Sequence, residues 1–115
     1  MVAHDPQPSV WAILLTHGGA EEITAACIES LLAQDYPTTI LLVDNASYEG
    51  SGARLRDRFP RLRYLNTGAN LGYTGGNNRG IQFALEHGAE YLLILNNDTV
   101  VDSRCVSILV SSAKE

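Results

Sequence analysis

Four short apolar runs punctuate the chain: Val10–Leu15, Ile40–Val43, Leu62–Leu65 and Tyr91–Leu95. Three are continuously apolar, the pattern of strands covered on both faces of a parallel sheet. The other, Leu62-Arg63-Tyr64-Leu65, carries an arginine and belongs at an edge. Between the runs the apolar period changes from strand-like to helical. Ile23, Cys27 and Leu31, with Ile28 and Leu32, form a stripe at spacings of three and four from about Ala20 to Gln34, and Tyr36-Pro37 stops it. Leu55 and Phe59 mark a shorter helix closed by Pro60. Ile81, Ala84 and Leu85 mark a third, ended by His87-Gly88. Val106, Leu109, Val110 and Ala113 mark a last one, begun after Asp102-Ser103 as caps.

The resulting order, β-α-β-α-β-α-β-α, predicts an α/β fold: a Rossmann-like parallel sheet with helices on both faces. Residues 10–115 read as one domain, and residues 1–9, polar and with two prolines, as a loose tail rather than a signal peptide. A net charge of −5 argues against a phosphate-backbone grip on nucleic acid. It does not exclude a nucleotide, because one metal ion reverses the local field. The apolar runs are too short to span a bilayer. Cys27 and Cys105, without a CxxC pattern, read as two reduced core thiols, which suits the cytoplasm.

In such a sheet the loops leaving the carboxyl ends of the strands gather where ligands bind. Here they read Thr16-His17-Gly18-Gly19, Asp44-Asn45-Ala46-Ser47, Asn66 through Gly80, and Asn96-Asn97-Asp98-Thr99. The third places four glycines between Asn70 and Gly80. Glycines there let backbone amides approach a ligand ahead of a helix amino terminus, or simply turn a long loop. Asp44 and Asp98, two acids at one sheet edge, would repel each other and a diphosphate unless a divalent cation bridged carboxylate to phosphate. Asp98 with Thr99 would equally serve as the cap of the next turn.

From about Val10 to Asp102 the chain resembles the first half of family 2 glycosyltransferases of the GT-A fold. The pieces are Ile13-Leu14-Leu15-Thr16, Ser30 through Pro37, Val43-Asp44-Asn45-Ala46-Ser47, Asn70-Leu71-Gly72-Tyr73 with Gly75-Gly76-Asn77-Asn78-Arg79-Gly80, and Leu95-Asn96-Asn97-Asp98-Thr99. Their order and spacing are most similar to the rhamnosyltransferase-like branch. The resemblance implies transfer of a sugar from a nucleoside-diphosphate donor, with thymidine-diphosphate rhamnose suggested by the branch, to an acceptor hydroxyl with inversion. The setting it implies is cell-wall polysaccharide synthesis, in the cytoplasm at the inner face of the membrane. It implies that Thr16 and the following loop, with His17 and Gly18, line the nucleoside pocket, and that Asp44 or Asn45 faces the base. Gly72, Gly76 and Asn77 would pass beside base and sugar-phosphate. Asn96-Asn97-Asp98 occupies the place of the DXD signature, which makes Asp98 the expected ligand of Mn2+ or Mg2+.

The resemblance also implies an acceptor-binding half and a catalytic base beyond Glu115. Asp102 and Glu115 match no catalytic motif, so no catalytic residue is assigned, and the chain is expected to bind donor without transferring it. A sheet lacking its later strands would leave an edge open to self-association. Rival functions of this architecture lack their signatures: Thr16-His17-Gly18-Gly19-Ala20-Glu21 is not GxGxxG, and there is no GxxxxGK[ST]. A receiver domain phosphorylated on Asp44 would want acids after the first strand and a late lysine. The remaining alternative is a nucleotide-binding or scaffolding module of the same fold that never catalyses.

Overall fold

The computed structural model describes residues 7–114. Its elements follow the expected alternation: β1 (Val10–Thr16), α1 (Glu21–Leu32), β2 (Thr38–Asp44), α2 (Ser51–Arg58), β3 (Arg63–Asn66), α3 (Gly72–Glu86), β4 (Tyr91–Leu95) and α4 (Cys105–Lys114). The strands form one parallel sheet in the order β3-β2-β1-β4. Thr16 pairs with Asp44 and Asp44 with Asn66, while Leu14 pairs with Leu95, so the four polar loops leave one edge of the sheet.

Alternation along the strands divides the core in two. Ala12, Leu14, Ile40 and Leu42 face α1 and α2, through Ala25, Cys27, Ile28, Leu31 and Leu55. Trp11, Ile13, Leu41 and Val43 face α3 through Ala84, Ile81 and Phe83. Val10 and Leu93 belong to the first face and meet Val106 and Val110 of α4. Helices therefore cover both faces, as expected. Burial of this apolar surface is the main force holding the layers together.

Three local expectations change in the folded chain. Ile23, counted in the apolar stripe of α1, is 51% exposed, and Thr24 takes the inward position. The buried Thr24 hydroxyl is satisfied there by the Asn97 side-chain amide at 3.0 Å. Secondly, β4 is an edge strand rather than a strand covered on both faces, and Ile94 is 42% exposed. Lastly, the stretch expected to remain a loop to Gly80 is helical from Gly72. The reason is close packing. A Cβ at Gly80 would lie 2.7 Å from Val43 Cγ2 and 3.0 Å from Ile13 Cγ2, and one at Gly76 would lie 2.5 Å from Leu15 Cδ1. These glycines let the α3 backbone lie directly on β1 and β2. The end of α3 is as expected, with Gly88 at φ +90° just past the last turn.

Most of the expected loose tail, residues 1–6, lies outside the described residues. The Pro8 carbonyl accepts from the Tyr36 hydroxyl at 2.6 Å, and the Ser9 N–H donates to Glu90 Oε1 at 3.0 Å. Both cysteines are free. No described helix is long and apolar enough to cross a membrane.

Candidate functional site

An open depression of about 390 Å³ lies at the carboxyl ends of the strands, lined by Leu15, Thr16, His17, Gly18, Asn45, Asn70, Gly72, Tyr73 and Asn97. A second hollow, between β4 and α4, measures about 70 Å³ and is lined almost wholly by apolar side chains such as Leu93, Val106 and Val110. It is too small and too apolar for a nucleotide. The depression at the carboxyl ends of the strands, where ligands bind in such a sheet, is the candidate site.

The β1 end supplies Thr16, His17 and Gly18. Thr16 is buried, its hydroxyl 3.3 Å from the Gly18 N–H and its carbonyl accepting from the Asn45 N–H at 2.7 Å. The His17 ring packs edge-on against Tyr48 with centroids 5.9 Å apart. Gly18 is required by its φ of +120° and by space, since a Cβ would lie 2.7 Å from both Tyr48 Cε1 and Glu49 Oε1. Glu49 fastens this loop to the start of α2. It accepts from the Ser51 hydroxyl at 2.6 Å and the Gly19 N–H at 3.0 Å, and these bonds, that from Ser51 first, hold its carboxyl below the usual range. Sequence reasoning passed over Tyr48 and Glu49, because both lie in the loop after β2 and reach β1 only in the folded chain.

The adjacent pair Asp44 and Asn45 divides. Asp44 is 2% exposed and is not in the wall of the depression. Its carboxylate accepts from the Ser47 N–H at 2.7 Å, the Ser47 hydroxyl at 3.2 Å and the Tyr64 hydroxyl. A Cβ at Gly52 would overlap that carboxylate, so Asp44 is turned under the α2 start. Burial, then the bond to Asp44, raises the Tyr64 hydroxyl pKa above its usual value. Asn45 does lie in the wall and ties it to Asn70 and Gly72.

From the α3 side come Asn70, Gly72 and Tyr73. Asn70 was outside the expected contact set. Its signal was available, because an Asn two residues ahead of a helix start commonly bonds the backbone, and Asn70 Oδ1 accepts from the Gly72 N–H at 3.0 Å. The Tyr73 hydroxyl donates to Asn96 Oδ1 at 3.3 Å, linking α3 to the loop after β4. Gly76 and Asn77 instead lie one turn further into α3, buried against the sheet. Asn77 Oδ1 has no hydrogen-bond partner among the described residues.

After β4, Asn97 reaches the depression and Asn96 is exposed beside Tyr73. Asp98 follows, exposed and outside the lining. Among the described residues no group of three or more His, Cys, Asp or Glu side chains is placed to hold a metal. One carboxylate beside two amide side chains fits a different case, a hard cation that takes most of its ligands from a diphosphate and water.

The family model for glycosyl transferase family 2 matches residues 11–115, and the chain belongs to this family. Over 50 residues it is 46% identical to N-acetylglucosaminyl-diphospho-decaprenol L-rhamnosyltransferase of Mycobacterium tuberculosis, covering 44% of this chain and 16% of that one. Over 63 residues it is 36% identical to the low-salt glycan biosynthesis hexosyltransferase Agl10 of Haloferax volcanii, covering 54% of this chain and 20% of that protein. Among solved structures the fold matches mannosyltransferase PcManGT from Pyrobaculum calidifontis, determined with GDP-Man and Mn2+. The TM-score is 0.69 at 22% identity, over 95% of this chain and 32% of that one. It also matches S. aureus TarS, with TM-score 0.72 and 18% identity over 92% of this chain and 19% of the other. The Rossmann-like α/β sheet is thus that of GT-A glycosyltransferases, and this chain spans a third or less of each of these relatives.

Proposed function

We propose that the domain binds the nucleoside-diphosphate part of an activated sugar in the depression at the carboxyl ends of β1, β2 and β4. A protein containing the domain then transfers the sugar to an acceptor hydroxyl with inversion. The observation that carries this reading is a polar depression at the ligand-binding edge of a parallel sheet, in a chain that belongs to glycosyl transferase family 2. Thr16, His17, Gly18, Gly72 and Asn97 would surround the nucleoside and diphosphate.

Asp98, assisted by the side-chain oxygens of Asn96 and Asn97, would hold a Mn2+ or Mg2+ ion. Bound there, the cation supplies positive charge against the leaving diphosphate. In the transfer, the acceptor oxygen forms a bond to the anomeric carbon as the carbon–oxygen bond to the diphosphate breaks. The hydroxyl proton passes to a general base, a role to which no residue of this chain is assigned. The isolated chain is accordingly proposed to bind donor and not to transfer it. A rhamnosyl donor is favoured by the identity shared with the mycobacterial relative, which is named a rhamnosyltransferase; thymidine diphosphate as its carrier is proposed from the sequence resemblance alone. That relative is named for an N-acetylglucosaminyl-diphospho-decaprenol substrate, which supports a lipid-borne acceptor and a role in cell-wall polysaccharide synthesis.

The test is a thermal-shift titration with dTDP, UDP and GDP, each with manganese or with EDTA. Ligand bound only to the folded state raises the midpoint with the logarithm of its concentration over Kd. The expected result is a manganese-dependent rise with one nucleotide, reduced in Asp98→Ala to the level seen in EDTA. Absence of any rise at millimolar nucleotide would reject the reading.

A further inference from the structure

Asn45 is 1% exposed although it forms part of the wall of the depression. Its nitrogen donates to Asn70 Oδ1 at 3.2 Å and to the Gly72 carbonyl at 3.0 Å. Its oxygen accepts from the Leu71 N–H at 3.0 Å and lies 2.9 Å from Thr67 Oγ1. The single Thr67 hydroxyl proton is also within reach of the Ala69 carbonyl at 2.7 Å and the Asp44 carbonyl at 3.4 Å; turned to either, it leaves the Thr67 oxygen occluding the second lone-pair direction of Asn45 without a hydrogen bond. A primary amide has two donor hydrogens and two acceptor lone pairs. All four directions are taken from within the chain, so none remains for a ligand.

The groups that surround Asn45 span Thr67–Gly72, the whole crossing from β3 to α3. Gly68, Ala69, Asn70 and Leu71 are exposed, so burial does not set their positions; apart from Asn45 the crossing is held by bonds from the Thr67 N–H to the Asp44 carbonyl at 2.9 Å, the Gly68 N–H to Asn66 Oδ1 at 2.8 Å and the Gly72 N–H to Asn70 Oδ1 at 3.0 Å. It is followed by Tyr73, and it carries Asn70 and Gly72, the other members of this wall. The Asn45 backbone is itself fixed, because its main-chain N–H donates to the Thr16 carbonyl on the next strand at 2.7 Å.

We propose that Asn45 is a positioning residue: it holds the 67–72 crossing so that Asn70, Gly72 and Tyr73 meet the nucleotide, and it does not read the base itself. This rests on the nucleotide-binding reading above. An aspartate at the same place would keep the two acceptor directions. It would lose both donors and set carboxylate oxygen against Asn70 Oδ1 and the Gly72 carbonyl, releasing the crossing.

The test uses Asn45→Asp and Thr67→Val. Thr67 lies outside the wall, so it has no direct contact of its own to lose. Two readouts are taken: the affinities for dTDP, UDP and GDP with manganese, and hydrogen exchange at the Leu71 amide in the unliganded chain. The expected result is that Thr67→Val weakens every nucleotide that binds by one common factor of roughly threefold to tenfold. Asn45→Asp weakens them by a larger common factor, and both variants speed Leu71 exchange about tenfold or more.

If Asn45 reads the base, Asn45→Asp changes the order of preference among the nucleotides while Leu71 exchange stays at the wild-type rate; that result overturns the proposal. Should Asn45→Asp fail to fold, Thr67→Val decides alone: wild-type affinity with wild-type exchange overturns it. A wild-type chain that binds none of the three rejects the nucleotide reading instead, and the exchange arm then decides whether Asn45 orders the crossing.

Discussion

Cys27 is fully buried beneath the turn after β4, with its thiol 3.9 Å from the Asn96 carbonyl. Burial pushes the thiol up from its ordinary 9.0 to about 11. The folded state therefore keeps a proton that the unfolded chain has lost in this range, and stability must fall as pH rises from about 9 to about 11. The loss approaches roughly 3 kcal/mol at the top of the window. Urea titrations across this range should show the decline, and Cys27→Ala should flatten it. An equal slope in the variant would transfer the effect to the tyrosines, of which Tyr36 and Tyr64 are also shifted upward, chiefly by burial. At this scale the polar residues after each strand were legible from the sequence, but their directions were not. Asp44 and Asn45 are neighbours with similar side chains, and only contacts with Tyr64, Gly52, Thr67 and Asn70, each distant in the chain, turn one under α2 and the other into the wall.

For the elements, α3 shows how a glycine-rich stretch is misread. Gly, Asn and Thr at Gly72–Gly80 have weak helix propensity and read locally as loop. Contact with the sheet overrides propensity, because only glycine at Gly76 and Gly80 lets the helix backbone lie against Leu15, Val43 and Ile13. Gly80→Ala gains about 1 kcal/mol of helix propensity but overpacks the interface by roughly 1–3 kcal/mol. The expected net effect is a loss of up to about 2 kcal/mol in denaturant unfolding, whereas alanine at the exposed Asn78 stays within about 0.5 kcal/mol of wild type. A stabilised Gly80→Ala chain would show that the close approach is not required. The arginine in the third apolar run did identify an edge strand correctly. An exposed charge on β3 also discourages pairing along that edge.

Over the whole molecule the two sheet edges differ. β3 carries the exposed Arg63, while β4, Tyr91–Leu95, has no charged side chain and leaves Ile94 42% exposed. Any self-association of the 115-residue chain should therefore run through β4. Sedimentation velocity over a concentration series should show an apparent mass that climbs with concentration in the wild type. The climb should be suppressed by Ile94→Lys and unaffected by Arg63→Gln; a reversed pattern would place the contact on β3.

The order of strands and helices, their parallel arrangement and the edge on which the polar loops gather all followed from the sequence. They depend on short-range periodicity and on the handedness of β-α-β crossings, which are properties of the local chain. Which edge β4 occupies, the helical state of the glycine stretch and the split between Asp44 and Asn45 depended on tertiary structure. Each is set by atoms far apart in the chain that meet only when the helices pack on the sheet, where space and unpaired donors and acceptors decide the outcome.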